Sequence, residues 1–182
     1  MKDLSQLTPG ELAAFIQTHL RAKGIDVVLT GGAAVSVYTD NQYLSRDIDL
    51  ISTTLENRKH LKQVMQELGF EEQNRYFSHP QTNYLVEFPA GPLSIGKQPI
   101  DEINEIELST GTLRILTPSD CVKDRLSAYY FWDDNQALEQ AILVARNNKI
   151  NLPEIKTWSV AEGMQPKFEE YQRQLVNAGK RP

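Results

Sequence analysis

The chain has 182 residues, enough for one domain or one domain with a small helical appendage. Apolar residues make up 40% and charged residues 24%, which excludes disorder and collagen-like structure as descriptions of the whole. A net charge of -5, from 24 acids and 19 bases, excludes a whole-surface grip on nucleic acid, so no bulk DNA binding is expected.

The first helix is signalled by Thr8, Pro9 and Glu11 at N-cap, N1 and N3, a capping box with proline where its missing N–H does no harm. Leu12, Phe15, Ile16 and Leu20 share one helical face, and Gly24 is the expected stop. Asp26 to Thr30 reads as a buried strand, broken by Gly31-Gly32 and followed by a short helix over 33–38. After a polar loop, Asp47 to Ile51 alternates acid and apolar like a strand with one wet face. A helix is predicted over 55–68, closed by Gly69, and a strand over 83–88. Residues 89–99, rich in proline and glycine, read as irregular. A hairpin follows over 103–108 and 112–116. Thr117-Pro118-Ser119-Asp120 repeats the helix-start signal, and helices are predicted over 119–132, 135–147, 153–163 and 166–177. The expected class is α/β (α+β): residues 1–116 form a mixed sheet flanked by helices, and residues 117–182 a helical region packed on it.

The opening MKDLSQLTPGEL lacks a signal peptide's apolar core, and no apolar run approaches the ~20 residues of a membrane span. Cys121 is the single cysteine, which precludes an internal disulfide and a CxxC metal site. A reduced, cytoplasmic protein without a membrane partner is expected. Cys121 reads as a small core residue, and His19, His60 and His79 as surface or helix-face residues. Tyr129, Tyr130, Phe131 and Trp132 read as packing aromatics. Trp158, Phe168 and Tyr171 would dock the C-terminal helices.

The chemistry concentrates in LTGGAAVSVYTDNQYLSRDIDLIS, residues 29–52. The i, i+2 spacing puts Asp47 and Asp49 on one face of a strand, ~6–7 Å apart, where they repel unless a cation lies between them. Mg²⁺ fits: it is hard, favours oxygen, and takes one or two carboxylates together with substrate phosphates. Gly31-Gly32, between strand and helix, lets the backbone approach a ligand, and the helix that follows offers free N–H groups to an anion. Glu87 stands mid-strand in Leu-Val-Glu-Phe, where a charge is out of place unless it faces solvent or a site. On a strand beside Asp47 and Asp49 it would share the metal or take a proton from an acceptor hydroxyl.

Gly-Gly, an interval, Asp-x-Asp and an acid on a later strand resemble the nucleotidyltransferase superfamily of the DNA polymerase β type. Within it, the chain is similar to the small bacterial branch of minimal nucleotidyltransferases and AbiEii-type toxins. Residues 116–145, LTPSDCVKDRLSAYYFWDDNQALEQAILVA, resemble that branch's segment of a Thr-Pro turn, a Lys-bearing helix and an acidic pair. The resemblance implies that Gly31 and Gly32 line a triphosphate, that Asp47, Asp49 and Glu87 bind Mg²⁺ and act catalytically, and that Lys123 approaches the nucleotide. Asp134 is either the acid that follows or simply a helix N-cap. Fourteen residues separate Gly32 from Asp47, and glutamate replaces the usual third aspartate.

The function expected is Mg²⁺-dependent transfer of a nucleoside monophosphate from a nucleoside triphosphate to a hydroxyl on RNA, protein or a small molecule, within a toxin–antitoxin or phage-defence system. The alternative is an inactive nucleotidyltransferase fold that binds nucleotide or a cognate partner protein.

Overall fold

A computed structural model describes residues 3–53 and 57–179. Helix α1 (Pro9–Ala22) starts as its sequence demands. The Glu11 N–H donates to the Thr8 hydroxyl at 3.3 Å, and the Glu11 carboxylate accepts from the Thr8 N–H at 3.0 Å. Gly24, at φ +79, turns the chain just past the C-cap. Strand β1 (Val27–Thr30) is buried throughout and leads directly into α2 (Gly31–Tyr38). Here the structure departs from expectation: the glycine pair is not a separate turn but the first turn of the helix.

Strand β2 (Asp47–Ser52) follows, then α3 (Arg58–Glu67), whose cap is Asn57, its side chain accepting from the Lys59 N–H. The expected start of that helix at Leu55 lies outside the described residues. Two strands unforeseen in the sequence come next, β3 (Glu71–Gln73) and β4 (Tyr76–Ser78), joined through Asn74 and Arg75 with Asn74 at φ +58. Strand β5 (Leu85–Glu87) is shorter than expected. The irregular stretch contains a small ladder of β6 (Ser94–Ile95) and β7 (Gln98–Pro99). The hairpin of β8 (Ile103–Leu108) and β9 (Gly111–Leu116) leads to helices α4 (Pro118–Trp132), α5 (Asn135–Asn147), α6 (Leu152–Ala161) and α7 (Gln165–Gly179).

The main sheet has seven strands in the order β3-β4-β5-β2-β1-β9-β8. It is mixed: β1 runs antiparallel to β2, while the β2–β5 and β1–β9 pairs are parallel. Leu12, Ile16 and Leu20 of α1, Leu29 of β1, Ile48 and Leu50 of β2, Val86 of β5 and Ile115 of β9 are fully buried in one core. Each contributes roughly 1.5–3 kcal/mol by leaving water.

The helical end is tied on by specific contacts. Trp158 stacks on Tyr130 with ring centroids 5.7 Å apart, and its indole N–H donates to the Ile95 carbonyl at 3.3 Å. Phe168 and Tyr171 of α7 are fully buried, as expected of docking aromatics. Lys167 of α7 reaches the C-terminal end of α4. Its ammonium donates to the carbonyls of Tyr129 at 2.9 Å and Tyr130 at 2.8 Å, and to the Asp133 carboxylate at 2.6 Å. Three packing expectations are corrected. His79 is buried beneath Gly69 and beside Phe70, and Phe131 and Trp132, expected to pack, are exposed, Trp132 to 82%. Among the described residues no helix is long and apolar enough to cross a membrane.

Candidate active site

The alternation of β2 sets the site. Ile48 and Leu50 are fully buried in the core, which forces Asp47 and Asp49 onto the opposite face. Asp47 is exposed and Asp49 half-buried. Register does the rest: Thr30 of β1 pairs with Asp49, Asp49 pairs with Glu87 of β5, and Glu87 pairs with Tyr76 of β4. These four residues form one row across the sheet. Its two acids stand on parallel strands ~4.8 Å apart. Asp47, Asp49 and Glu87 thus share one face.

The same row meets the start of α2. Thr30 is the N-cap of that helix but makes no side-chain cap bond, which leaves the first-turn N–H groups for another acceptor. Gly31 follows at φ +66, with the Asp49 carboxylate against its Cα: a Cβ built there would overlap Oδ2 of Asp49. At Gly32 a Cβ would lie 2.9 Å from the Ser45 hydroxyl. Ser45 pins the loop back onto this corner. Its hydroxyl donates to the Asp47 carbonyl at 2.8 Å, and its N–H donates to Ser36 Oγ at 2.9 Å. Only glycines admit this approach, a physical reason for the pair.

Burial, and after it the Glu87 carboxylate, push the Asp49 carboxyl up to about 6. The charges of Asp124 and Asp47 add to this, and the Arg125 guanidinium opposes it. Arg125 comes from α4. Its Nε and Nη2 donate to Asp124 Oδ2 at 3.0 and 2.6 Å, and its Nη1 to Gln140 Oε1 at 3.4 Å. Burial works against its charge, but Asp124 and Asp49 hold it fully cationic. Glu87 has a cation of its own: Arg75 Nε lies 3.5 Å from Glu87 Oε1.

Lys123 stands elsewhere. It is 1% exposed and ion-paired to Asp120 at 3.1 Å and to Glu154 of α6. The resemblance implies a lysine approaching the nucleotide, whereas this one is consumed as the buried cross-link between α4 and α6. The physical cause is the pair of carboxylates that close around its ammonium. Asp134 takes the helix-cap role, accepting from the Ala137 N–H at 3.0 Å.

Sequence reasoning missed Arg125, Asp124 and Arg75. The first two follow Lys123 directly in Lys-Asp-Arg, so the basic motif was visible and its inward residue was not.

The donor set suits a hard cation. Among the described residues, no three His, Cys, Asp or Glu are gathered into a ready-made cage. Mg²⁺ does not require one, since it binds through one or two carboxylates plus substrate phosphates. The pair Asp47 and Asp49, beside a corner kept open by Gly31, meets that condition. A separate cleft of about 830 Å³, walled by Val27, Ser52, Phe88, Leu93, Ile103 and Arg114 among others, contains none of the site's carboxylates.

No protein-family model matches the chain, and no curated protein does. Solved structures do. An antigenic nucleotidyltransferase-like protein from Paracoccidioides brasiliensis is similar with a TM-score of 0.61 and 16% identity, over 93% of this chain and 94% of that one. The solution structure of the antibiotic-resistance factor ANT(2'')-Ia is similar with a TM-score of 0.54 and 15% identity, over 98% of both chains. A crystal structure of ANT(2'')-Ia in complex with adenylyl-2''-tobramycin gives 0.53 and 15%, over 87% of this chain and 95% of that one. The fold is therefore nucleotidyltransferase-like: a mixed seven-stranded sheet flanked by helices, as the sequence resemblance implies.

Proposed function

We propose that the protein is a nucleotidyltransferase that moves a nucleoside monophosphate from a nucleoside triphosphate to a hydroxyl acceptor. The row Asp49–Glu87, with Asp47 beside it and the uncapped start of α2 at Gly31, carries this reading. It combines oxygen donors for a divalent cation with free N–H groups for phosphate at one corner.

Asp47 and Asp49 would hold Mg²⁺, with Glu87 as the third carboxylate, and the bound cation would offset charge on the attacking and departing oxygens. The chain's own part is positioning and proton transfer. The N–H groups of Gly31 and Gly32 receive phosphate oxygens. The acceptor oxygen forms a bond to the α-phosphorus, the bond from that phosphorus to the bridging oxygen breaks, and its electron pair leaves with pyrophosphate. Glu87, on the same face, takes the acceptor's proton. Arg125 favours the ionised form of Asp49 against its burial.

The acceptor we favour is a small polyhydroxylated molecule, because a fold neighbour is described with an adenylylated tobramycin. RNA or protein acceptors, and a role in a toxin–antitoxin pair, are the finer alternatives. The second reading is a fold that binds nucleotide or a partner without turnover. The existing ion pair between Glu87 and Arg75 favours it, since it occupies the proposed base.

Incubation of the protein with Mg²⁺, each α-labelled nucleoside triphosphate, and amino-sugars, RNA or a cell extract tests both. Transfer of label that Asp47→Asn and Asp49→Asn abolish supports the enzyme. Metal-independent nucleotide binding with no transfer to any acceptor supports the binding module instead.

A further inference from the structure

We propose that Arg75 is a phosphate-binding residue of this site, held on Glu87 until a triphosphate enters. The inference rests on the nucleotidyltransferase reading and assigns it a specificity-determining residue outside the sequence motif.

Arg75 sits at the tip of the β3–β4 hairpin, where Asn74 at φ +58 reverses the chain. Its neighbour Tyr76 pairs with Glu87, which pairs with Asp49, so the hairpin places this arginine at the edge of the acidic row. The guanidinium lies 4.8 Å from the centre of the Tyr76 ring and donates to the Tyr76 hydroxyl at 2.5 Å. Its Nε is 3.5 Å from Glu87 Oε1, long for a hydrogen bond, and the charges of both Glu87 and Asp47 act on it.

Four other basic side chains are committed to carboxylates. Arg125 is half-enclosed and doubly bonded to Asp124. Lys123 is buried between Asp120 and Glu154. Arg58 and Lys62 share Glu72. Arg75 is 69% exposed and leans on the acids without being enclosed by them. Four carboxylates, of Asp47, Asp49, Glu87 and Asp124, face two guanidiniums here. A resident arginine lowers their mutual repulsion while no other cation is bound.

A triphosphate reverses the balance by bringing several negative charges to the same row, between Gly31 at one end and Arg75 at the other. A guanidinium's planar fork matches phosphate oxygens in pairs, and stacking on Tyr76 keeps that fork oriented. Turning from Glu87 to the phosphates satisfies the incoming charge and frees Glu87 for the acceptor proton in one exchange. The ring of Tyr76 is the pivot, because it holds the guanidinium in both positions.

Calorimetric binding of non-hydrolysable ATP and GTP analogues, with AMP as control, tests this in wild type, Arg75→Ala and Arg75→Lys, alongside Mn²⁺ binding followed by electron paramagnetic resonance without nucleotide. Loss of a charge-assisted pair predicts triphosphate binding about tenfold or more weaker in Arg75→Ala and intermediate in Arg75→Lys. AMP binding is expected to change less than about threefold, and Mn²⁺ binding to hold or tighten because a competing cation is gone. Wild-type triphosphate binding that Arg75→Ala shares overturns the inference alone, as does an equal loss of AMP and triphosphate accompanied by a fall in melting temperature. Wild type that binds no triphosphate overturns both the inference and the reading on which it rests.

Discussion

Asp49 and Glu87 are register partners on the parallel strands β2 and β5, and after burial itself the Glu87 charge is what most resists ionisation of Asp49. The fold thus holds a carboxylate in a place that disfavours its charge, beside a second carboxylate that disfavours it further. Such an arrangement costs stability and is found where a cation or a proton is handled.

The cost has a pH dependence. The folded-state value of Asp49, about 6, lies above its ordinary value of 3.8, so the native state binds the proton more tightly than the unfolded chain. This contribution is fully present below pH 4 and is lost as pH rises through 6. Asp49→Asn is therefore expected to stabilise the metal-free protein at pH 8, by an amount on the order of 3 kcal/mol at most, and to leave it nearly unchanged at pH 4. Urea denaturation at the two pH values measures it. Equal stability of mutant and wild type at pH 8 contradicts the assignment.

Arg125 should control where that titration falls. Its cation favours ionised Asp49, so Arg125→Gln is expected to shift the Asp49 carboxyl upward and move the acid limb of any transfer activity to higher pH. The pH–rate profile and the carboxyl carbon resonance of Asp49 should move together. An unchanged profile would show that Arg125 serves packing alone.

Gly31→Ala places a methyl group on the Asp49 carboxylate at a residue whose φ is +66. Strain in the left-handed region and the clash together predict a loss of roughly 1–3 kcal/mol. Nucleotide binding should fall by more than that destabilisation explains, because Asp49 must move. Thermal denaturation and nucleotide titration on the same preparation separate the two effects.

Lys123→Ala strands the Asp120 and Glu154 carboxylates around a cavity, and a loss of about 3–5 kcal/mol is expected for one partner of a buried pair. In the fraction that stays folded at low temperature, the affinity for nucleotide should match wild type. A selective loss of nucleotide affinity without loss of stability would restore this lysine to the site.

The parts of the fold that could be read ahead are those whose signals are local. Thr8 with Glu11, and Thr117 with Asp120, start helices by bonds that close within three residues. The acid–apolar alternation of residues 47–51 fixed which face Asp47 and Asp49 share, since Ile48 and Leu50 had to turn inward. The β3–β4 hairpin escaped because Glu71–Gln73 is a wholly polar edge strand of three residues, held by its neighbours rather than by its own pattern. Arg75 went unseen with it. The surroundings of Lys123 and Arg125 are set by partners distant in the chain: Glu154 lies 31 residues from the lysine, and Asp49 on β2 far from the arginine. Trp132 ends its helix pointing outward, which no composition rule distinguishes from its buried neighbour Tyr130.

The grip of Lys167 on the last carbonyls of α4 gives the final helix a reach beyond its own packing. It acts as a strut: the far end of the arginine-bearing helix is braced by a residue encoded near the chain's close. Loss of the last seventeen or so residues would unbrace that beam, and slack introduced at one end of it would be felt by the acids at its middle.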